Sequence, residues 1–223
     1  MTEPVSLPGD RPVATVVGEL RERNRPLSTV ALVNLGLAVL FTALLAVDGR
    51  TLLGRSVWLK PWKFAASIAV FTATMGWLLP SLRLGDRAER TVSWVIAGAM
   101  SSEILLITAQ AARGVRSHFN VATTLDASVF ALMGISITVS TLAVTYVLWR
   151  TLRTPPAVAP AYRWGISLGL LVFVLASFEG GLMAARGSHT VGTAVGGEGL
   201  PVVNWSLSGG DLRVAHFIGL HAL

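Results

Sequence analysis

Apolar residues in this chain fall in long blocks parted by short polar connections, without the alternation of strands or the one-sided stripe of a surface helix. Five blocks stand out, at residues 30–47, 62–79, 91–111, 127–149 and 164–185. Each approaches the ~20 residues that a hydrocarbon core of ~30 Å requires. Lipid offers no partner to backbone amides, so a span must be a helix or part of a closed barrel. Five blocks are too few to close one. The pattern therefore predicts an all-α membrane protein, a bundle of five transmembrane helices.

A sixth apolar run follows Asp211, a residue suited to capping a helix from Leu212. Only residues 212–223 remain, and a helix of that length reaches about 18 Å. The run is read as the start of a sixth span, and the natural chain is expected to continue past Leu223.

The polar segments complete the outline. Residues 1–29 hold Pro4, Pro8, Pro12, Pro26 and four arginines, and form an N-terminal segment ahead of one transmembrane domain, 30–223. Within it Val13, Val16, Val17 and Leu20 recur at helical spacing, which fits either an interfacial helix or an unstructured terminus. The longest connection is rich in glycine. Its pattern predicts a small extramembrane hairpin at 189–206, with Gly196 and Gly197 in the turn.

Composition sharpens this picture. The chain is 52% hydrophobic and 13% charged, against about 25% charged in soluble domains. The net charge of +6 is scattered over every connection, so it reads as flanking charge of membrane helices and not as a nucleic-acid surface. Six of the seven tryptophans lie near span ends, as an aromatic belt does. Cysteine is absent, which removes disulfides, thiolate ligands and cysteine nucleophiles. The N-terminal segment and the 81–90 and 150–163 connections hold ten arginines, against eight basic residues in the other connections. That bias favours a plasma-membrane protein with its N-terminus in the cytoplasm.

The unusual residues gather on the other face, in the connections after the first, third and fifth blocks. Both lysines, Lys60 and Lys63, and all four histidines lie in or beside them. Lys60 and Lys63, with Arg113, are candidates for holding a small anionic ligand or a lipid headgroup. Snorkelling lysines beside belt tryptophans are the alternative. His118, His189 and His216 are candidate ligands of a divalent metal, or of haem, although no HExxH spacing occurs. Hydrogen-bonded interfacial histidines are the competing account.

Glu103 and Glu179 are the formal charges deep within apolar blocks, and such residues are costly enough to suggest function. Gln110 lies seven residues after Glu103, on the same helical face, and the two suggest a polar track. The alternative is a protonated, hydrogen-bonded carboxyl between helices. Gly134, Thr138, Thr141 and Thr145 suggest a close helix-packing stripe.

The strings WLKPWKF, QAARGVRSHFN and GGDLRVAHFIGLHAL, in that order, resemble an uncharacterised family of bacterial multi-pass membrane proteins. The resemblance covers most of the chain from about residue 50 onward. It implies that the last string leads into further hydrophobic sequence, and it supplies no activity and no catalytic residues. Three function classes follow from the residues. The first is binding of a small anion or metal at the mouth of the bundle. The second is an intramembrane metal-dependent hydrolase or haem redox protein, and the third a transporter using Glu103 and Glu179.

Overall fold

A computed structural model describes residues 13–195 and 198–223. Five helices in it are long and apolar enough to span a membrane, and the protein is a multi-pass, membrane-embedded helical bundle. A short helix, α1 (Val13–Arg23), precedes the first span. The spans are α2 (Arg25–Val47), α3 (Leu59–Leu78, extended by a 3-10 turn to Ser81), α4 (Asp86–Ala112), α5 (Thr124–Arg153) and α6 (Pro160–Arg186). A final short helix, α7, runs from Leu212 to Leu220.

The first span starts at Arg25 and not at Val30, for a local reason. Asn24 caps it, accepting from the Leu27 amide, and Pro26 sits in the first turn, where its missing N–H costs nothing. The Asn24 amide also donates to Ser93 Oγ at 2.7 Å, tying the α1–α2 elbow to α4. Gly76 leaves room for that elbow, since a Cβ there would stand 3.3 Å from the Leu27 Cβ. Within α1, Val17 and Leu20 are half-buried while Val13 and Val16 are exposed.

The most enclosed span is α4, packed on α2, α3 and α5. Its Ile96, Met100 and Ile104 join Ala65 and Met75 of α3 and Val144 of α5 in one apolar core. In lipid such contacts hold through close packing and not through water exclusion. The stripe predicted on α5 does not all pack. Gly134 and Thr138 face outward, while Met133, Ser140, Val144 and Val147 make the buried face. Thr138 and Thr145 bond back to carbonyls one turn earlier, so their hydroxyls need no neighbouring helix.

The hairpin differs from the sequence expectation in register. β3 (Thr190–Val191) pairs antiparallel with β4 (Gly210–Asp211), and a single bridge joins Gly199 to Ser206. The turn between the inner partners is built on Pro201–Asn204, where the Asn204 amide donates to the Leu200 carbonyl. Gly196 and Gly197, expected to form the turn, lie outside the described residues. Val202 and Asn204 take positive φ. Asparagine tolerates that conformation, and for β-branched valine it is strained. A second hairpin, β1 (Thr51–Leu52) and β2 (Arg55–Ser56), turns through Leu53 and Gly54, both at positive φ.

Candidate functional site

The ends of α2, α4 and α6 and the beginnings of α3, α5 and α7 share one end of the bundle. Three candidate residues meet there. Lys60 lies in the first turn of α3, ahead of Pro61. Its Nζ is 3.0 Å from His118 Nδ1, on the loop between α4 and α5. His118 Nε2 in turn lies 3.6 Å from Glu103 Oε1, in α4. A carboxyl, an imidazole and an amine thus stand in line from the protein interior to the bundle mouth.

The chemistry of the three groups orders the protons. With Lys60 charged, its ammonium can only donate, as the Ser117 hydroxyl 3.1 Å away also can; His118 Nδ1 then accepts, and the neutral ring carries its hydrogen on Nε2, toward Glu103. Burial, reinforced by the charges of Lys60 and His216, holds His118 well below the ordinary histidine range. The ring is walled by Phe64, Phe119 and Phe130. Glu103 is 1% exposed, and among the described residues neither of its carboxyl oxygens has a hydrogen-bond partner. Polar atoms buried in that condition are rare.

Gln110 also faces protein and not lipid, at 1% exposure, but it does not continue a track from Glu103. Its amide donates to Asp126 Oδ1 at 2.9 Å and also reaches the Arg116 carbonyl. Arg113 donates to both the Gln110 side chain and Asp126, the latter at 2.8 Å. Asp126 and Thr123 bond reciprocally at the start of α5. Gln110 and Arg113 therefore fasten α4 to α5. The Thr123-x-x-Asp126 spacing is a capping-box signature that sequence reasoning could have read for this cluster.

The other basic groups of the mouth hold the long loop. Lys63 donates to the carbonyls of Val202 and Val203 at 3.2 and 3.4 Å, and Arg55 to that of Gly199 at 3.4 Å. Arg213 donates to the Asn204 carbonyl and pairs bidentately with Asp211. Asp211 caps α7 as expected, through the Arg213 amide. Burial pushes its carboxyl up, but the bonds from Arg213 and the Ser206 amide outweigh that and hold it at about 2. His189 Nδ1 lies 3.5 Å from Asp211, and burial and the Arg213 charge push it down.

The histidines do not gather. His216 bonds the Ala176 carbonyl at 2.7 Å, in a notch left by Gly180 of α6. His221 bonds the Phe217 carbonyl and Ser67 Oγ. Among the described residues no group of three His, Asp or Glu side chains is placed to hold a metal ion. His118, His189 and His216 each turn to a different partner.

Glu179, half-buried, belongs to a separate place. It lines an apolar groove of about 790 Å³ between α6 and α7, with Val172, Leu175 and Ile218. A polar cleft of about 250 Å³ lies at the opposite end of the bundle, against Arg25, Glu89 and Arg90. Neither cavity is lined by Lys60, Lys63 or His118, over whose end of the bundle the 198–211 loop is bound.

Sequence reasoning missed one further cluster here. Asp48 accepts from Trp58 Nε1 at 2.7 Å and pairs with Arg50, which reaches the Ala112 carbonyl at the end of α4. Nothing in the spacing of these residues signals that meeting. No family model, no curated protein and no solved structure matches the chain.

Proposed function

We propose that this chain is a plasma-membrane protein, N-terminus in the cytoplasm, that binds a small anionic ligand at the extracytoplasmic mouth of its bundle. The observation that carries the reading is the line Lys60–His118–Glu103, which ends on a buried carboxyl without hydrogen bonds. Lys60 supplies charge and His118 sets direction. Glu103 supplies a buried polar group that only a ligand, a water or a proton can satisfy.

The charge balance favours an anion. Arg213 is neutralised by Asp211, which leaves Arg55, Lys60 and Lys63 against Glu103 and the exposed Glu198 around the loop, a surplus of positive charge. Lys63 and Arg55 donate to loop carbonyls, which do not cancel their charge. The mouth therefore carries a positive field, and low-dielectric walls strengthen such fields. A carboxylate, a sulfate-like or phosphate-like group, or a lipid headgroup bearing one shares the chemistry recognised.

Calorimetric titration of purified protein tests the reading, using acetate, sulfate and glycerol phosphate, with glycerol as the uncharged control. Nanodiscs of anionic against zwitterionic lipid separate a headgroup from a soluble anion. Saturable binding of an anion that Lys60→Met weakens is the expected result. Equal heats from anions and glycerol, in both lipid settings, would overturn it.

A further inference from the structure

We propose that the anion enters this site together with one proton, taken from bulk solution by Glu103, so that the two bind as a pair. The inference rests on the binding reading above and adds what accompanies the ligand.

The argument begins with what holds Glu103 and what does not. The ionisable group it reaches is His118, whose Nε2 stands at 3.6 Å, beyond a good hydrogen bond. Both oxygens are buried and bare, so nothing in direct contact fixes the carboxylate as an anion. The charge that offsets it is Lys60, one residue further out along the line.

Among the described residues the surrounding elements supply no other hydrogen-bond partner. From α3 come Lys60 and Lys63, the latter occupied by the loop carbonyls. From the α4–α5 loop comes His118, and from α7 His216, bonded to the Ala176 carbonyl. α5 presents Asp126, occupied by Arg113 and Gln110, and Ser136, whose hydroxyl meets Ser102. α6 presents Glu179, on the groove against α7. α2 has no ionisable side chain between Pro26 and Val47; its buried Asn34 donates to the Val30 carbonyl.

An anion drawn to Lys60 and His118 takes over the lysine's charge and places a second negative charge beside Glu103. Two negative groups in a poorly solvated space do not both remain ionised, and the cheaper response is a proton on one of them. Glu103 is suited to accept it. Once protonated, it becomes a donor that can bond the ligand, where the ionised form could only repel it. One proton passes from the buffer acid or hydronium in bulk solution to one Glu103 oxygen, forming an O–H bond there as one breaks in the donor, and the site keeps its net charge when a monoanion binds.

Acetate and sulfate keep their charge between about pH 6 and 8, so they report the protein's protons alone. Titrating the wild-type protein with each, in buffers of different ionisation enthalpy, gives the protons taken up per ligand. The expected value is close to one, with affinity rising about tenfold per unit fall in pH across the coupled window. Glu103→Gln should bind with no proton uptake and no such pH dependence. Binding by the wild type without uptake overturns this inference and leaves the binding reading standing. Uptake that persists in Glu103→Gln overturns it as well. Absence of binding by the wild type at every pH overturns both. Should Glu103→Gln not fold, the buffer series on the wild type decides the matter by itself.

Discussion

Nζ of Lys60 lies 3.0 Å from Nδ1 of His118, although 58 residues and two helices separate them in the chain. The contact joins the first turn of α3 to the loop that leaves α4. It aims the far nitrogen of the imidazole at Glu103. The ligand-binding reading gives each member a distinct part, and each can be examined separately.

Replacing Lys60 by methionine keeps the length and removes the charge. A hydrogen bond to a charged group contributes about 1.5–3 kcal/mol, so affinity for the anion should fall about ten- to a hundredfold. Calorimetry on folded protein measures it, and affinity within twofold of the wild type would show that Lys60 does not touch the ligand.

Asp126 should behave otherwise. Asp126→Ala strips partners from Gln110, Arg113 and Thr123 at once, loosening the α4–α5 connection. The melting temperature in detergent should drop by several degrees, while anion affinity of the folded fraction stays unchanged. A loss of affinity without a loss of stability would place Asp126 in the binding site instead.

The ligand-free protein should lose stability as pH falls below about 6.5. His118 and His189 are both pushed below that ordinary value in the folded state. The unfolded chain therefore binds more protons in this window, and their contribution is complete above it and lost as pH falls. Asp211, held at about 2, adds its own loss only in much stronger acid. A melting temperature that is flat from pH 7 to 5, or unchanged in slope by His189→Gln, would contradict the assignment.

The α6–α7 contact offers a steric test. A Cβ on Gly219 would clash with the Ala176 Cβ and lie 3.3 Å from the Val172 carbonyl oxygen. Gly219→Ala should cost about 1–3 kcal/mol through overpacking. Ala176→Gly should restore much of that loss in the double variant, because it removes the clashing atom. Unfolding by denaturant measures both, and an additive pair would mean that α7 seats elsewhere.

Orientation is checked with reporters. Fusions at Pro156 should read as cytoplasmic and fusions at Glu198 as extracytoplasmic, with the mouth on the outer face. The opposite pattern would move the proposed site to the cytoplasmic side and leave its geometry untouched.

The membrane architecture was legible in the sequence because the bilayer imposes it locally. Every backbone amide of a span must bond within its own helix, so a block such as 91–111 becomes helical whatever its neighbours are. Span ends were legible within a few residues for the same reason, and the exact start at Arg25 lay in Asn24 and Pro26. Lys60 and His118 were visible as unusual residues on one face of the protein, and Glu103 as a charge deep within a span. What they touch was not visible. Gln110 shares a helical face with Glu103, yet it turns to Asp126, because the rotation of α4 against α5 and the closing of the 113–123 loop decide its partner. Lys63, paired with Lys60 by spacing alone, goes to the loop carbonyls of Val202 and Val203, and the histidines go to three different elements. Lipid sets the secondary structure through each residue's own backbone. Partners are set by how the helices rotate and where the loops return, and these depend on the packing of the whole bundle.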